Sequence, residues 1–447
     1  MALPPDAAAA LAGLERFGVH LGLDHVGRLL TALGDPQAGL PAVLVAGTNG
    51  KGSTAALLAA AGTAAGYRTG LYTSPHLEDV EERVRIDGET IEGEALGPLV
   101  LETIAAAGRA LPAPPTYFEA LTAAALLHFR RREVELAVLE VGLGGRLDAT
   151  NAADPALSVI APVSLEHREV LGDTLAAIAR EKAGVMRAGR PTVAWAADPE
   201  VAAALTAAAA AAGAHLVRAD RDVRIDAAVP WSDRPWGGQR IALATPTARH
   251  ELTVPLLGPH QAVNAALAAR AAELLAERGW PRLDAAALAR AAARWHWPAR
   301  LEAVELPPAA PCRRVLLDAA HNPGAAATLA AFLAAPPTLF SAPPALLFGV
   351  LADKDAAAML SALAPRASRL VLTTPPTPRA RPPETLVPLL PTGSPAEVVP
   401  DPAAALDHAL AAAHEAGADT LVVCGSIYLV GAVRGLLRER FGMPGPA

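Results

Sequence analysis

The segment that most constrains this chain is Ala42-Val-Leu-Val-Ala-Gly-Thr-Asn-Gly-Lys-Gly-Ser-Thr54. Its apolar start is fit for a strand buried on both faces; a glycine-rich turn follows, then the helix-forming run Ala55–Ala65. Strand, turn and helix in that order point to an α/β chain. Glycines let the backbone curl so that its N–H groups and the helix N-terminus face an anion. Lys51 adds a point charge, and Ser53 or Thr54 can reach a cation. Gly47, Thr48, Asn49, Gly50, Lys51, Gly52, Ser53 and Thr54 therefore read as a phosphate cradle. The spacing departs from the common GxxxxGK[ST] loop, because Gly52 intervenes between Lys51 and the hydroxyl residues.

Six more short apolar runs support βαβ units around a largely parallel sheet: Leu136–Val141, Leu157–Val163, Arg314–Leu317, Ala345–Val350, Arg369–Thr373 and Thr420–Cys424. In such sheets chemistry collects at the carboxyl ends of strands, and there this sequence places its glycines, acids and histidines. A length of 447 residues allows two or three domains. A boundary is expected between Trp295 and Pro311, where WHWPARLEAVELPPAAP breaks any helix. The expected division is 1–296, a linker at 297–312, and 313–447. The proline-rich Thr374–Pro383 reads as a surface loop.

Charge sets further bounds. With 38 basic and 45 acidic residues the formal net charge is −7, which argues against nucleic acid as a partner. Hydrophobic residues make up 52% of the chain but aromatics only 4%, so alanine inflates the apolar fraction and favours helices. The longest membrane-like candidate, Val201–Ala214, is nearly all alanine and reads as a surface helix, so no membrane is expected. Asp6 precedes any basic residue, unlike an export signal, and a cytoplasmic location is expected. Cys312 and Cys424 match no disulfide or metal spacing and read as buried small residues.

Other motifs follow the cradle. Glu140 ends a strand otherwise fit for burial, where a carboxylate is costly unless paired or metal-bound, and a magnesium role suits it. The glycines after it miss the dinucleotide spacing GxGxxG. His167 follows another strand, and Lys182 stands near a helix end, where the helix dipole is one explanation. Ser74 offers a hydroxyl to a second cation or sits in a simple turn. Thr116-Tyr-Phe-Glu119 sets aromatic faces against a flat ring or belongs to the core. Asn264 reads a base edge or decorates a surface, and Asp318, His321 and Asn322 gather acid, imidazole and amide at one strand end.

In order along the chain, LGLDHVGRLLTALGDP, VAGTNGKGST, YTSPHL, TYFEA, EVGLGGRLDATN, SLEH, IAREKAG, LLGPHQAVNA, DAAHNPGA, LADKD and CGSIYLVG resemble folylpolyglutamate synthase and dihydrofolate synthase, the folate branch of the Mur ligase superfamily. The resemblance implies a P-loop-type, mostly parallel-sheet ATPase domain and a smaller Rossmann-like α/β C-terminal domain. It implies that Gly47–Ser53 binds ATP phosphates, with Lys51 as the phosphate lysine. It also implies that Ser53, Ser74, Glu140 and His167 bind two magnesium ions, and that Lys182 carries a carbamate. A monovalent cation is a further candidate cofactor. Thr116, Tyr117, Phe118, Glu119, Arg146, Leu147 and Asp148 match the pterin-binding region, while Asn264, Arg300 and Asp318 match nucleotide contacts, with His321 beside them. Lys51, His167 and Lys182 are the catalytic candidates. The implied reaction adds L-glutamate to dihydropteroate or folates through an acyl phosphate, in a cleft that closes about the linker, and a monomer is expected. Two departures stand out: Glu166 replaces the usual Asp before the metal histidine, and Ala299 replaces the usual Gly before the linker arginine. Another Mur-type amino-acid ligase and a P-loop NTPase that makes no bond are the alternatives.

Overall fold

The computed structural model describes residues 2–442 except 19, 235, 335–338 and 341. The last five residues of the expected second domain lie outside that description. Two compact units divide the chain: Met1–Ala228, Ile241–Val254 and Gln261–Trp295 form one, and Val229–Arg240, Pro255–His260 and His296–Ala447 the other.

In the first, helices α1 (Pro5–Ala12), α2 (Leu23–Ala32), α3 (Lys51–Ala64), α4 (Gly93–Ala110), α5 (Tyr117–Arg131), α6 (Arg168–Leu171), α7 (Leu175–Ala183) and α8 (Pro199–Ala212) accompany eight strands. These are β1 (Ala42–Ala46), β2 (Thr69–Tyr72), β3 (Val84–Ile86), β4 (Glu89–Thr90), β5 (Leu136–Glu140), β6 (Pro155–Ile160), β7 (Pro191–Ala194) and β8 (His215–Arg218). They form one sheet in the order β4-β3-β2-β5-β1-β6-β7-β8. The strands from β2 to β8 along that order run parallel, and β3 and β4 make an antiparallel edge. Every residue of β1 and β5 is buried, as a sheet covered on both faces requires. The chain leaves β1 toward β2 on one side, and β6 lies on the other. The carboxyl end of β1 is therefore a topological switch point, where ligands of open α/β sheets bind.

After α9 (Ala219–Asp222), strands β9 (Arg224–Pro230), β10 (Gln239–Ala244) and β11 (Arg249–Val254) make a three-stranded sheet, and α10 (His260–Ala276) and α11 (Ala285–Ala292) follow. Strand β11 alternates exposed and buried residues, the period-2 mark of a sheet with one wet face.

A six-stranded sheet follows, in the order β12-β13-β17-β14-β15-β16. Its strands are β12 (Glu302–Glu305), β13 (Arg314–Leu317), β14 (Ala345–Phe348), β15 (Arg369–Leu372), β16 (Ala396–Val398) and β17 (Thr420–Cys424). Its helices are α12 (Pro323–Leu333), α13 (Ala356–Leu363), α14 (Pro402–Glu415) and α15 (Ile427–Phe441). All pairings are parallel except β12 with β13. Part of the stretch 297–312 is thus a strand, with Glu302 opposite Leu317. The alanine-rich α8 buries Val201, Ala204, Leu205 and Ala209, so one of its faces belongs to the core. Both cysteines are buried.

Candidate active site

The turn after β1 is fixed by close packing and by hydrogen bonds from its own amides. Gly47 has φ 142° and Gly50 φ 88°, conformations that L side chains rarely adopt. A Cβ on Gly47 would stand 2.7 Å from the Cβ of Ala161, and one on Gly50 would stand 2.3 Å from Asn264 Oδ1. The amides of Thr48 and Asn49 both donate to the Pro162 carbonyl, at 3.0 and 3.3 Å. The Thr48 hydroxyl donates to the Ser164 carbonyl (3.1 Å) and accepts from the Ser164 amide (3.2 Å), and Asn49 Nδ2 donates to Ser164 Oγ (3.4 Å). Ser164 is a positioning residue that the sequence reading passed over; its place in a polar run just after a strand was the available signal.

Gly50 caps α3 and offers no side chain to the first turn. The amides of that turn have no partner within the helix, so they and the helix dipole favour a negative charge there. Lys51 lies at the start of α3 and its Nζ donates to the Thr48 carbonyl at 3.1 Å. Gly52, Ser53 and Thr54 are buried behind it. Thr54 Oγ1 donates to Asn264 Oδ1 (3.4 Å), and Asn264 Nδ2 donates to Gln261 Oε1 (2.8 Å). Asn264 is 3% exposed, which removes the surface reading.

Strand register brings the acid to the loop. Glu140 pairs with Val45, two residues before Gly47. It is buried, and its Oε2 accepts from the Ser74 amide at 3.0 Å, so Ser74 and Glu140 meet at the ends of adjacent strands.

Lys182 lies in the last turn of α7, yet it does not solvate the helix end. It is 3% exposed and its Nζ donates to the Gly47 carbonyl at 2.7 Å. Burial lowers its ammonium pKa from 10.5 to about 7; Lys51 pushes the same way, and Glu166 and Asp148 oppose. The helix-dipole reading of this residue is therefore corrected. His167 adopts the left-handed conformation (φ 48°) at the start of α6, its side chain 34% exposed and its Nε2 3.6 Å from Glu166 Oε1.

Thr116 caps α5: its hydroxyl accepts from the Glu119 amide (3.1 Å), and Glu119 Oε2 accepts from the Thr116 amide (2.8 Å). Tyr117 and Phe118 are partly buried against the core, and Phe118 lies 6.0 Å from Tyr72 between ring centres. Arg146 is half exposed and paired with Glu181 at 3.0 Å, while Leu147 is partly buried. Asp148 is buried, which raises its pKa, and it accepts from the amides of Leu143 and Thr150 and from the Thr150 hydroxyl. It shapes the glycine-rich loop after β5.

In the second unit, Asp318 is buried at the end of β13 and accepts from the amides of Leu301 and Ala320, both at 2.9 Å. Burial raises its pKa, against the opposing charge of Arg300. His321 Nδ1 lies 2.8 Å from the Ala319 carbonyl. Arg300 is flanked by two residues with positive φ, Ala299 (58°) and Leu301 (52°).

A loop fit for anions at a switch point, with a buried acid at the end of the next strand, is the arrangement of an α/β protein that binds a phosphate-bearing ligand. The Mur ligase middle domain matches residues 45–272, and the Mur ligase glutamate ligase domain matches 299–427. The folylpolyglutamate synthase of Lacticaseibacillus casei is 38% identical over 414 residues, covering 91% of this chain and 92% of that one. A probable bifunctional folylpolyglutamate synthase/dihydropteroate synthase of Haloferax volcanii is 40% identical over 444 residues, and this chain spans 50% of its length. The structure of E. coli FolC in complex with DHPP and ADP superposes with a TM-score of 0.82 at 32% identity, covering 97% of this chain and 98% of that one. The chain belongs to the folylpolyglutamate synthase/dihydrofolate synthase family of Mur ligases. Among the described residues, no helix is long and apolar enough to cross a membrane.

Proposed function

We propose that this chain is an ATP-dependent ligase that joins L-glutamate by an amide bond to dihydropteroate, to reduced folates or to both. The observation that supports it most is the bare first turn of α3, with Lys51 at its start and the Glu140–Ser74 pair beside its loop. A substrate carboxylate attacks the γ-phosphorus of ATP; ADP leaves and an acyl phosphate forms. The glutamate amine then attacks the acyl carbon, phosphate departs with the broken C–O bond, and the amide remains. Both steps build negative charge on oxygen. Lys51 and the α3 amides are fixed before reaction and stabilise that charge without reorganising.

The donor chemistry also fits a hard cation: a buried carboxylate, Glu140, stands beside Ser74, and Ser53 is buried in the first turn of α3. Ser53, Ser74, Glu140 and His167 would hold two magnesium ions, which when bound neutralise triphosphate charge. Asn264, Arg300, Asp318 and His321 are the proposed nucleotide contacts. Thr116, Tyr117, Phe118, Glu119, Arg146, Leu147 and Asp148 are proposed for the pterin. Lys182 is proposed to carry a carbamate. Its buried amine gives up its proton near neutrality, and the free lone pair attacks carbon dioxide, releasing one proton. Labelled bicarbonate should give a carbamate carbon resonance in the wild type that is missing in Lys182→Met.

Purified protein with ATP, magnesium and glutamate, offered dihydropteroate or tetrahydrofolate in turn, tests the reading. Products heavier by one glutamyl residue, with matching ADP release, are expected. ADP release that ignores glutamate and yields no such product would overturn it.

A further inference from the structure

Away from the phosphate loop, three side chains converge on one point. His20 precedes α2, His25 lies in its first turn, and Glu119 lies in the first turn of α5. Glu119 Oε1 is 3.0 Å from His25 Nδ1 and 3.4 Å from His20 Nδ1, and one ligand atom from each residue lies within 4.8 Å of the others. Tetrahedral bonds of about 2.0–2.1 Å place neighbouring donor atoms about 3.3 Å apart, close to both of these separations.

Hydrogen bonds around the cluster settle which atoms face inward. His25 Nε2 lies 3.3 Å from the Ala113 carbonyl, which only accepts, so Nε2 carries the hydrogen. In the neutral ring Nδ1 is then a bare lone pair directed at a carboxylate oxygen. A cation between them would join this lone pair to the carboxylate oxygen 3.0 Å away. A proton serves two partners, whereas three donor atoms gather here. The far ring nitrogen on a carbonyl and the far carboxylate oxygen on the Thr116 amide are the outer contacts that orient ligands in metal sites.

We propose that His20, His25 and Glu119 form a binding site for a borderline divalent cation of the zinc class, with a fourth position open to water. Two imidazoles and one carboxylate suit such an ion better than magnesium, which prefers oxygen. The ion would tie the segment before α2 to the first turn of α5, and the argument does not depend on the ligase reading.

Cobalt(II), added to untagged, chelator-treated, full-length protein in excess magnesium, is the probe. One equivalent is expected to bind with the visible absorption of four-coordinate cobalt, without a thiolate band, and to be displaced by zinc. His20→Ala removes a half-exposed ligand with little risk to folding and should weaken binding at least about tenfold. His25→Ala should abolish the absorption. A spectrum that stays that of aqueous cobalt, or equal affinity in wild type and both variants, would overturn the site.

Discussion

Lys182 is where sequence and burial disagree most. An amine buried beside Lys51 is costly to charge, and its pKa falls to about 7. Between about pH 7 and 10.5 the unfolded chain keeps a proton here that the folded chain has released. This group therefore makes stability rise with pH through that window and adds no slope below it. In urea titrations free of carbon dioxide, wild type should gain on Lys182→Met by up to about 1.4 kcal/mol per pH unit across the window. A constant difference from pH 7 to 10 would show that the amine keeps an ordinary pKa. Lys51 sits at the start of α3 and not in the core. Lys51→Ala should lower glutamate-dependent ADP release by about 100- to 1,000-fold, the usual cost of one donor to developing charge, with an unchanged circular dichroism spectrum. Near-normal turnover would remove the phosphate role.

At the scale of elements, the loop between β1 and α3 depends on the missing side chain of Gly50. Gly50→Ala forces a Cβ onto Asn264 Oδ1 at φ 88° and should cost about 2 kcal/mol or more, measured as a shift of the urea midpoint. Stability equal to wild type would mean that the loop relaxes freely. This loop was legible because a buried apolar strand, glycines and a helix former each speak for themselves. So were β13 and β17, whose residues match their apolar runs end to end. Strand β2 was hidden by Gly70, β7 begins at a proline, and β12 lies in a proline-rich stretch, so composition argued against each. The alternation of β11 was readable, but a search for continuous apolar runs finds parallel buried strands and passes over half-wet ones. Lys182 carried a signal too: it follows Ile178 by four residues, on the buried face of α7. The His20–His25–Glu119 cluster carried none, because Glu119 follows His25 by 94 residues and only folding brings it to the two histidines.

For the whole molecule, ligand and fold are coupled through whatever part of the chain holds the phosphates. A nucleotide that binds only the folded state at one hundred times its Kd stabilises it by about 2.7 kcal/mol. The β1–α3 turn, Glu140, Lys182 and Asn264 all belong to the first compact unit. Its 228, 14 and 35 residues make it large enough that 1 kcal/mol moves a melting midpoint by only about 2–4 °C. A non-hydrolysable ATP analogue with magnesium should therefore raise that unit's calorimetric transition by about 5–10 °C. Two compact units also make a single two-state transition an unsafe assumption, so each transition must be assigned before it is compared. Lys51→Ala supplies the assignment: the transition that loses its shift in this variant is the one carrying the β1–α3 turn. A shift that persists at full size in Lys51→Ala would place the nucleotide's binding energy elsewhere, and the phosphate assignment of the β1–α3 turn would fall with it.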